Sequence, residues 1–166
     1  MMLKEMNVEK ELNKEITSLF KRSQIGKKLL SFRNEITFTD FFSNRLLMIS
    51  LIREGVPYSL FSLIKDYTPF TESEWSDFLE ISAKSLQRYK QSSKHFKSLQ
   101  SEKIIEMAEV TNIGLDIFGG MEKFKLWLNT PNFSLGGSKP IELLKDSYGK
   151  EMVVGELTRI NHGILA

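Results

Sequence analysis

His95 and His162 are the only histidines in the chain, and there is no cysteine. A zinc site draws three or four protein ligands together, and two isolated imidazoles with no thiolate do not supply them. Each reads better as a surface or capping side chain; His162 falls near the expected end of a helix, where the dipole favours a cation. Nucleophilic catalysis needs a Ser or Thr hydroxyl beside a base that a third group orients, and no stretch offers that arrangement. The pair Gly136-Gly137 is a weak phosphate-loop signal with no strand ahead of it. A turn with positive φ explains both glycines. Trp75 and Trp127 lie at helical spacing from other apolar residues and read as core. These residue types predict no enzyme, no metal and no cofactor, and leave binding as the function to look for.

The basic residues are the better lead. Net charge is only +2, yet Ile81 to Ser101 carries Lys84, Arg88, Lys90, Lys94 and Lys97 and no acid. The other 18 bases then face all 21 acids, so the positive charge is local. Lys and Arg contacts to phosphate, each releasing counterions, dominate protein–DNA affinity. A merely solvated basic face is the plainer alternative.

The elements that must position this run are helical. Residues 1–35 are rich in Lys and Glu, with Leu3, Met6, Leu12, Ile16, Leu19 and Phe20 spread thinly among them. Such a segment predicts either a solvated helix or a mobile arm. Thr39 or Asp40 caps the next helix, which carries Phe41, Phe42, Leu46, Leu47, Ile49 and Leu51 and stops at Gly55. Pro57 restarts the chain into a short helix burying Leu60, Phe61, Leu63 and Ile64. Thr71 to Glu74 then has the capping-box pattern, in which the hydroxyl and the carboxylate each accept the other residue's amide.

From Glu74 the chain reads EWSDFLEISAKSLQRYKQ. A helix with Trp75, Phe78 and Leu79 inward leads to a tight turn at Glu80-Ile81, and Ser82 caps a second helix. Leu86 and Tyr89 face back toward the first, leaving Lys84, Ser85, Gln87, Arg88 and Lys90 outward. That is the layout of a helix-turn-helix with polar residues free to enter a groove. A long helix follows from Ser101 to Phe118, with Gly114 a weak point inside it. After Gly119-Gly120 a helix carries Phe124 and Trp127. A break at Thr130-Pro131, a bend at Gly136-Gly137 and a short helix from Pro140 to Gly149 come next. Val153, Val154, Leu157, Ile160 and Ile164 then mark the face of a last helix. With no alternating strand run, the fold class is all-α.

Size and composition agree. At 166 residues the chain has room for one or two small units and can bury roughly two-thirds of its unfolded surface. Absence of cysteine rules out disulfides and fits a reducing cytoplasm. The N-terminus has no apolar h-region, and no run approaches the roughly 18 apolar residues of a membrane span. A cytoplasmic protein with no membrane partner is expected.

The order Trp127-Leu128, Pro131-Asn132, Leu135-Gly136-Gly137, Pro140, Leu143-Leu144, Gly149, Val153, Leu157, Arg159-Ile160 and Gly163 resembles the C-terminal toxin-binding domain of the MbcA/ParS/Xre antitoxins. Residues 74–91, including Ile81-Ser82 and Arg88, resemble the Xre-like part of the same family. The resemblance covers about residues 53–166 and is strongest after Gly119. Two positions depart from it: Glu80 stands in the turn, where Gly is common, and Phe124 stands where the family commonly has a small residue.

The expected organisation is an N-terminal helical arm (1–38), which lies outside the resemblance, then an Xre-like helix-turn-helix domain (39–118) and a small helical toxin-binding domain (119–166), which the resemblance implies. It implies an antitoxin that neutralises a RES-domain toxin, an NAD-degrading enzyme, by covering its active site, and that represses its own operon. Toxin contacts are then expected at Trp127, Pro131, Asn132, Leu135, Gly136, Gly137, Arg159, Asn161, His162, Gly163 and Ala166, with the chain end near the NAD pocket. DNA contacts are expected at Ser82, Lys84, Ser85, Arg88, Lys90, Lys94 and Lys97. Lys84 or Arg88 would lie near base edges and the later lysines on phosphates. A homodimer is expected, since one such helix reads few bases. A stand-alone helix-turn-helix regulator is the other reading; a neighbouring RES-domain gene distinguishes the two.

Overall fold

The computed structural model describes the backbone of residues 2–163 and the side chains from residue 7 onward. Among them, helices follow in chain order as α1 (Met2–Phe20), α2 (Gln24–Leu30), α3 (Phe38–Ser43), α4 (Arg45–Glu54), α5 (Tyr58–Tyr67) and α6 (Glu72–Leu79). Then come α7 (Ala83–Ser92), α8 (Ser98–Phe118), α9 (Met121–Leu128), a 3-10 turn (Phe133–Leu135), α10 (Pro140–Leu143) and α11 (Ser147–Asn161). No strand occurs among the described residues, in keeping with the all-α expectation. The chain divides into two compact units, Met1–Thr68 with Ser82–Glu106, and Pro69–Ile81 with Met107–Ala166.

In the first unit Leu12, Ile16 and Phe20 recur every four residues along α1, and all are buried. α1 packs on α5 and α3. Burying each such side chain stabilises by about 1.5–3 kcal/mol, enough to hold a helix whose other faces are Lys and Glu. The segment that reads as a solvated helix or mobile arm is therefore part of a core. Polar side chains of α1 add to this: Asn13 Oδ1 accepts the Phe38 N–H at 2.7 Å, and Thr17 Oγ1 accepts that of Ile36 at 2.9 Å. They satisfy backbone donors next to α3 that have no helical partner.

Thr37, rather than Thr39 or Asp40, caps the helix that follows. Its Oγ1 accepts the Asp40 N–H at 3.0 Å, and the Asp40 carboxylate accepts that of Thr37 at 3.1 Å. Burial opposes the charge on Asp40, but hydrogen bonds from Arg33 and Thr37 outweigh it and hold the carboxyl below its ordinary 3.8. Asn44 then breaks the expected single helix into α3 and α4. Its side chain accepts the Leu46 and Leu47 N–H groups, a local bond that competes with helix continuation.

In the second unit α6 begins at the predicted capping box, with Thr71 Oγ1 accepting the Glu74 N–H at 3.2 Å and Glu74 accepting that of Thr71 at 2.7 Å. Trp75 and Phe78 are buried, each meeting Phe70 edge-on. Farther on, Gly114 in α8 marks where Phe124 of α9 enters. A Cβ there would stand 2.2 Å from the ring, which is fully buried and stacked against Phe118 and Trp127. The apparent weak point in α8 is thus the slot for a large aromatic, and it accommodates the departure at Phe124.

Pro140 opens α10, but Gly149 does not end it. α10 stops at Leu143, and Asp146 caps α11 by accepting the Gly149 N–H at 2.8 Å. Gly149 lies in the first turn of α11, where a Cβ would stand 1.9 Å from the Leu143 carbonyl oxygen. Val153 and Leu157 are buried, and Val154 and Ile160 half-buried. Ile164 lies outside the described residues.

The Gly114–Phe124 fit predicts a sign reversal. Gly114→Ala costs about 1–3 kcal/mol through overpacking, and Phe124→Ala about 3–5 kcal/mol through the cavity it leaves. In the Phe124→Ala background, Gly114→Ala becomes stabilising by roughly 0.5–1 kcal/mol, because only its helix propensity remains. Denaturant unfolding of the four proteins measures this; an unchanged cost in both backgrounds would show that the ring does not occupy the slot.

Candidate functional site

α7 is preceded by a locally fixed turn and is held within its own unit by an anchor beyond its far end. Glu80 ends α6 in the left-handed region, at φ 52°, with its N–H donating to the Asp77 and Ser76 carbonyls. A residue with a Cβ pays roughly 1–2 kcal/mol for that conformation. Ser82 then starts α7, its Oγ accepting the Ser85 N–H at 3.1 Å. Leu86 is buried, and Tyr89 stacks on Phe96 with ring centroids 4.2 Å apart.

Phe96 is the anchor. Its ring meets Phe61 at 5.0 Å, and its N–H donates to the Val56 carbonyl at 2.9 Å. The Val56 N–H donates to Ser101 Oγ at 2.9 Å, and that hydroxyl donates to the Phe96 carbonyl at 3.2 Å. Gly55, at φ 92°, permits the approach, since a Cβ there would stand 2.4 Å from the Phe96 carbonyl oxygen.

On this support the predicted basic residues Lys84, Arg88, Lys90, Lys94 and Lys97 are all exposed, as is Ser82, while Ser85 is half-buried. The helical period separates them further. Lys84 and Arg88 lie one turn apart, opposite Leu86 and Tyr89, and share that face with Gln87 and Gln91. Lys90 lies to one side, and Lys94 and Lys97 belong to the loop before α8. Gln91 is the addition to the expected set, and the same period could have found it.

The C-terminal candidates divide differently. Gly136 and Gly137 have φ of 68° and 80°, as the turn reading requires, and Leu135 beside them is buried. Trp127 is half-buried and packed on Phe118 and Phe124, whereas Pro131 is exposed. Asn132 organises the loop: its backbone N–H donates to the Ser138 carbonyl at 3.0 Å, and its carbonyl accepts the Gly137 N–H at 2.9 Å. Its side-chain oxygen accepts the Ser134 N–H at 2.9 Å.

The Asn132 amide also reaches Glu156 at 3.5 Å, and Glu156 pairs with Arg159 at 3.0 Å. Glu156 is buried, so its carboxylate ties the loop to α11 from inside. Sequence reasoning missed it, because an acid at that position looks like any solvated helix residue. Asn161, His162 and Gly163 are exposed at the end of α11, and His162 Nδ1 lies 2.7 Å from the Thr158 carbonyl oxygen, in a capping position. Ala166 lies outside the described residues.

The two units carry opposite charge. The first holds 17 bases and 10 acids, the second 6 bases and 11 acids. A polyanion is attracted to the first and not to the second.

Residues 47–109 match the antitoxin Xre-like helix-turn-helix domain, and residues 114–163 match the antitoxin Xre/MbcA/ParS C-terminal toxin-binding domain. The chain belongs to the Xre/MbcA/ParS antitoxin family. An Antitoxin Xre of Photorhabdus laumondii is 25% identical to this antitoxin over 118 residues, covering 70% of this chain and 80% of the relative. An Antitoxin Xre of Yersinia enterocolitica is 26% identical over 125 residues, covering 75% and 84%. A chain in the crystal structure of the M. tuberculosis MbcT–MbcA toxin–antitoxin complex shares the fold, with a TM-score of 0.51 and 22% identity over 64% of this chain and 94% of that one.

Within this antitoxin, Glu156→Ala strands the Asn132 amide and the half-exposed Arg159 together. Hydrogen bonds to a buried charged group are worth about 1.5–3 kcal/mol, and the exposure of Arg159 argues for the lower end. A loss of stability of about 1–2 kcal/mol is expected, with faster amide exchange at Ser134 and Gly137. Unchanged exchange there would show that the carboxylate does not hold the loop.

Proposed function

We propose that this antitoxin neutralises a RES-domain, NAD-degrading toxin by laying its C-terminal domain over the toxin's active site, and represses its own operon through α7. The match of residues 114–163 to a toxin-binding domain is the observation that carries the first part. In this reading residues 119–166 form the toxin-binding domain, 39–118 the DNA-binding domain and 1–38 a helical arm packed on the latter. The Asn132 loop and the end of α11, from Arg159 to Gly163, face the toxin, and the following residues up to Ala166 enter its catalytic mouth. The antitoxin acts by shape and charge in a water-excluding contact and makes no bond to substrate. It works in the cytoplasm, where an NAD-degrading toxin would act.

The basic character of the first unit and the exposed face of α7 support the DNA role. Arg88 and Lys84 read base edges, aided by Gln87 and Gln91, while Lys90, Lys94 and Lys97 take phosphates. A homodimer presents two such helices to a two-fold operator.

Co-expression with the neighbouring reading frame followed by pull-down tests the partner; absence of a RES-domain protein nearby favours the stand-alone regulator. Removing Asn161–Ala166 is expected to abolish rescue of toxin-poisoned cells while the protein stays folded, and full rescue by the truncated chain would overturn the plug. Lys84→Ala with Arg88→Ala should weaken operator binding by about 1–3 kcal/mol for each side chain that reads a base and leave toxin capture intact. Loss of both activities would mean that these side chains support the fold instead.

A further inference from the structure

A second acid-free run lies outside both matched domains. Ile16 to Asn34 carries Lys21, Arg22, Lys27, Lys28 and Arg33 and no acid, as many bases as the run around α7. Arg33 is held by Asp40. The other four are exposed and make no ion pair among the described residues.

They sit on a fixed corner. Ser23 Oγ accepts the Gly26 N–H at 2.9 Å and donates to the Phe20 carbonyl at 3.0 Å. Gly26 is buried, and a Cβ there would stand 2.0 Å from the Phe20 carbonyl oxygen, so α2 crosses directly over the end of α1. Lys21 and Arg22 lie in the bend, and Lys27 and Lys28 in the last turn of α2.

The helix dipole favours a cation at each of these helix ends, but it does not account for four unpaired ones on one short corner, which repel each other. The acids of α1 are confined to its earlier turns, at Glu5, Glu9, Glu11 and Glu15, so the segregation is a property of the sequence. A membrane surface fits poorly. An interfacial helix needs a continuous apolar face to immerse, and α2 does not present one: Ile25, Leu29 and Leu30 are all half-buried, Gly26 is pressed on α1, and the exposed Phe32 beyond the helix end is a single apolar side chain. Duplex DNA fits well: the corner belongs to the same compact unit as α7, and phosphate contacts need only placed cations.

We propose that Lys21, Arg22, Lys27 and Lys28 form a second phosphate-contacting surface that grips the DNA backbone without reading sequence. It rests on the DNA-binding role proposed for α7 and extends it to the N-terminal arm.

The test measures binding of the full chain to two duplexes, its own upstream promoter region and a scrambled sequence of equal length, across a range of salt. The variants are K21Q/R22Q, K27Q/K28Q and the four changes combined, each checked for an unchanged melting curve. For every phosphate that a variant no longer neutralises, the slope of log affinity against log salt should become shallower by about 0.9. Both duplexes should weaken by the same factor, so the promoter-to-scrambled ratio stays constant. R88A should lower that ratio instead.

An unchanged slope in the two double variants overturns the proposal while leaving the α7 reading intact. If the unaltered protein binds neither duplex, the α7 reading fails and this proposal with it. If the variants lose capture of the toxin and keep DNA affinity, the corner serves a protein surface and the proposal is wrong.

Discussion

Gly55 and the close approach it allows to Phe96 hold the first unit in register. At φ 92° and with the Phe96 carbonyl oxygen 2.4 Å from where a Cβ would be, no other residue fits without displacing the backbone. Through that approach the corner between α4 and α5 meets the loop after α7, and Ser101 closes it by bonding to both sides. Phe96 then presents its ring to Tyr89 on one side and Phe61 on the other. The basic face of α7 is held by this knot, because α7 itself has Leu86 as its one buried side chain.

The second unit solves a comparable problem with different means. Gly114 admits the Phe124 ring, and Gly149 admits the Leu143 carbonyl, so glycines again mark places where two elements meet without room for a side chain. The polar links are charged. Lys150 pairs with Glu109 at 3.2 Å, both largely buried, and Glu156 joins the Asn132 loop to Arg159. Removing one side of the largely buried Lys150–Glu109 pair is costly, since the other charge stays in poorly solvated surroundings. The Glu156 contacts fix the loop that the family resemblance associates with toxin contact.

Charge is divided unequally between the two units. Basic residues exceed acids in the unit that contains α7, and acids exceed bases in the other. If the basic unit binds DNA as proposed, its positive field raises on-rate and affinity. Four of the acids, Glu72, Glu74, Asp77 and Glu80, lie on α6 and the turn that follows, and their segment belongs to the acidic unit.

Features set by a few neighbouring residues were legible in the sequence. The Thr71–Glu74 box, the Ser82 cap, the turn at Gly136-Gly137 and the helical class follow from local hydrogen bonding, positive φ and apolar period, which act within a few residues. Local signals failed where several offered the same bond: Thr37 took the cap that Thr39 and Asp40 also suit, and Asn44 interrupted a run whose apolar pattern continues. The packing of α1, the slot at Gly114, the crossing at Gly149 and the buried place of Glu156 were not legible. Each depends on which distant element arrives there, and burial turns a glycine from a weak point into a necessity and an acid from a solvated charge into a tie. The chain's pattern therefore determined its helices, its caps and its kinship, whereas only tertiary packing decided which side chains became contacts, because a residue's role depends on the neighbours that exclude water from it.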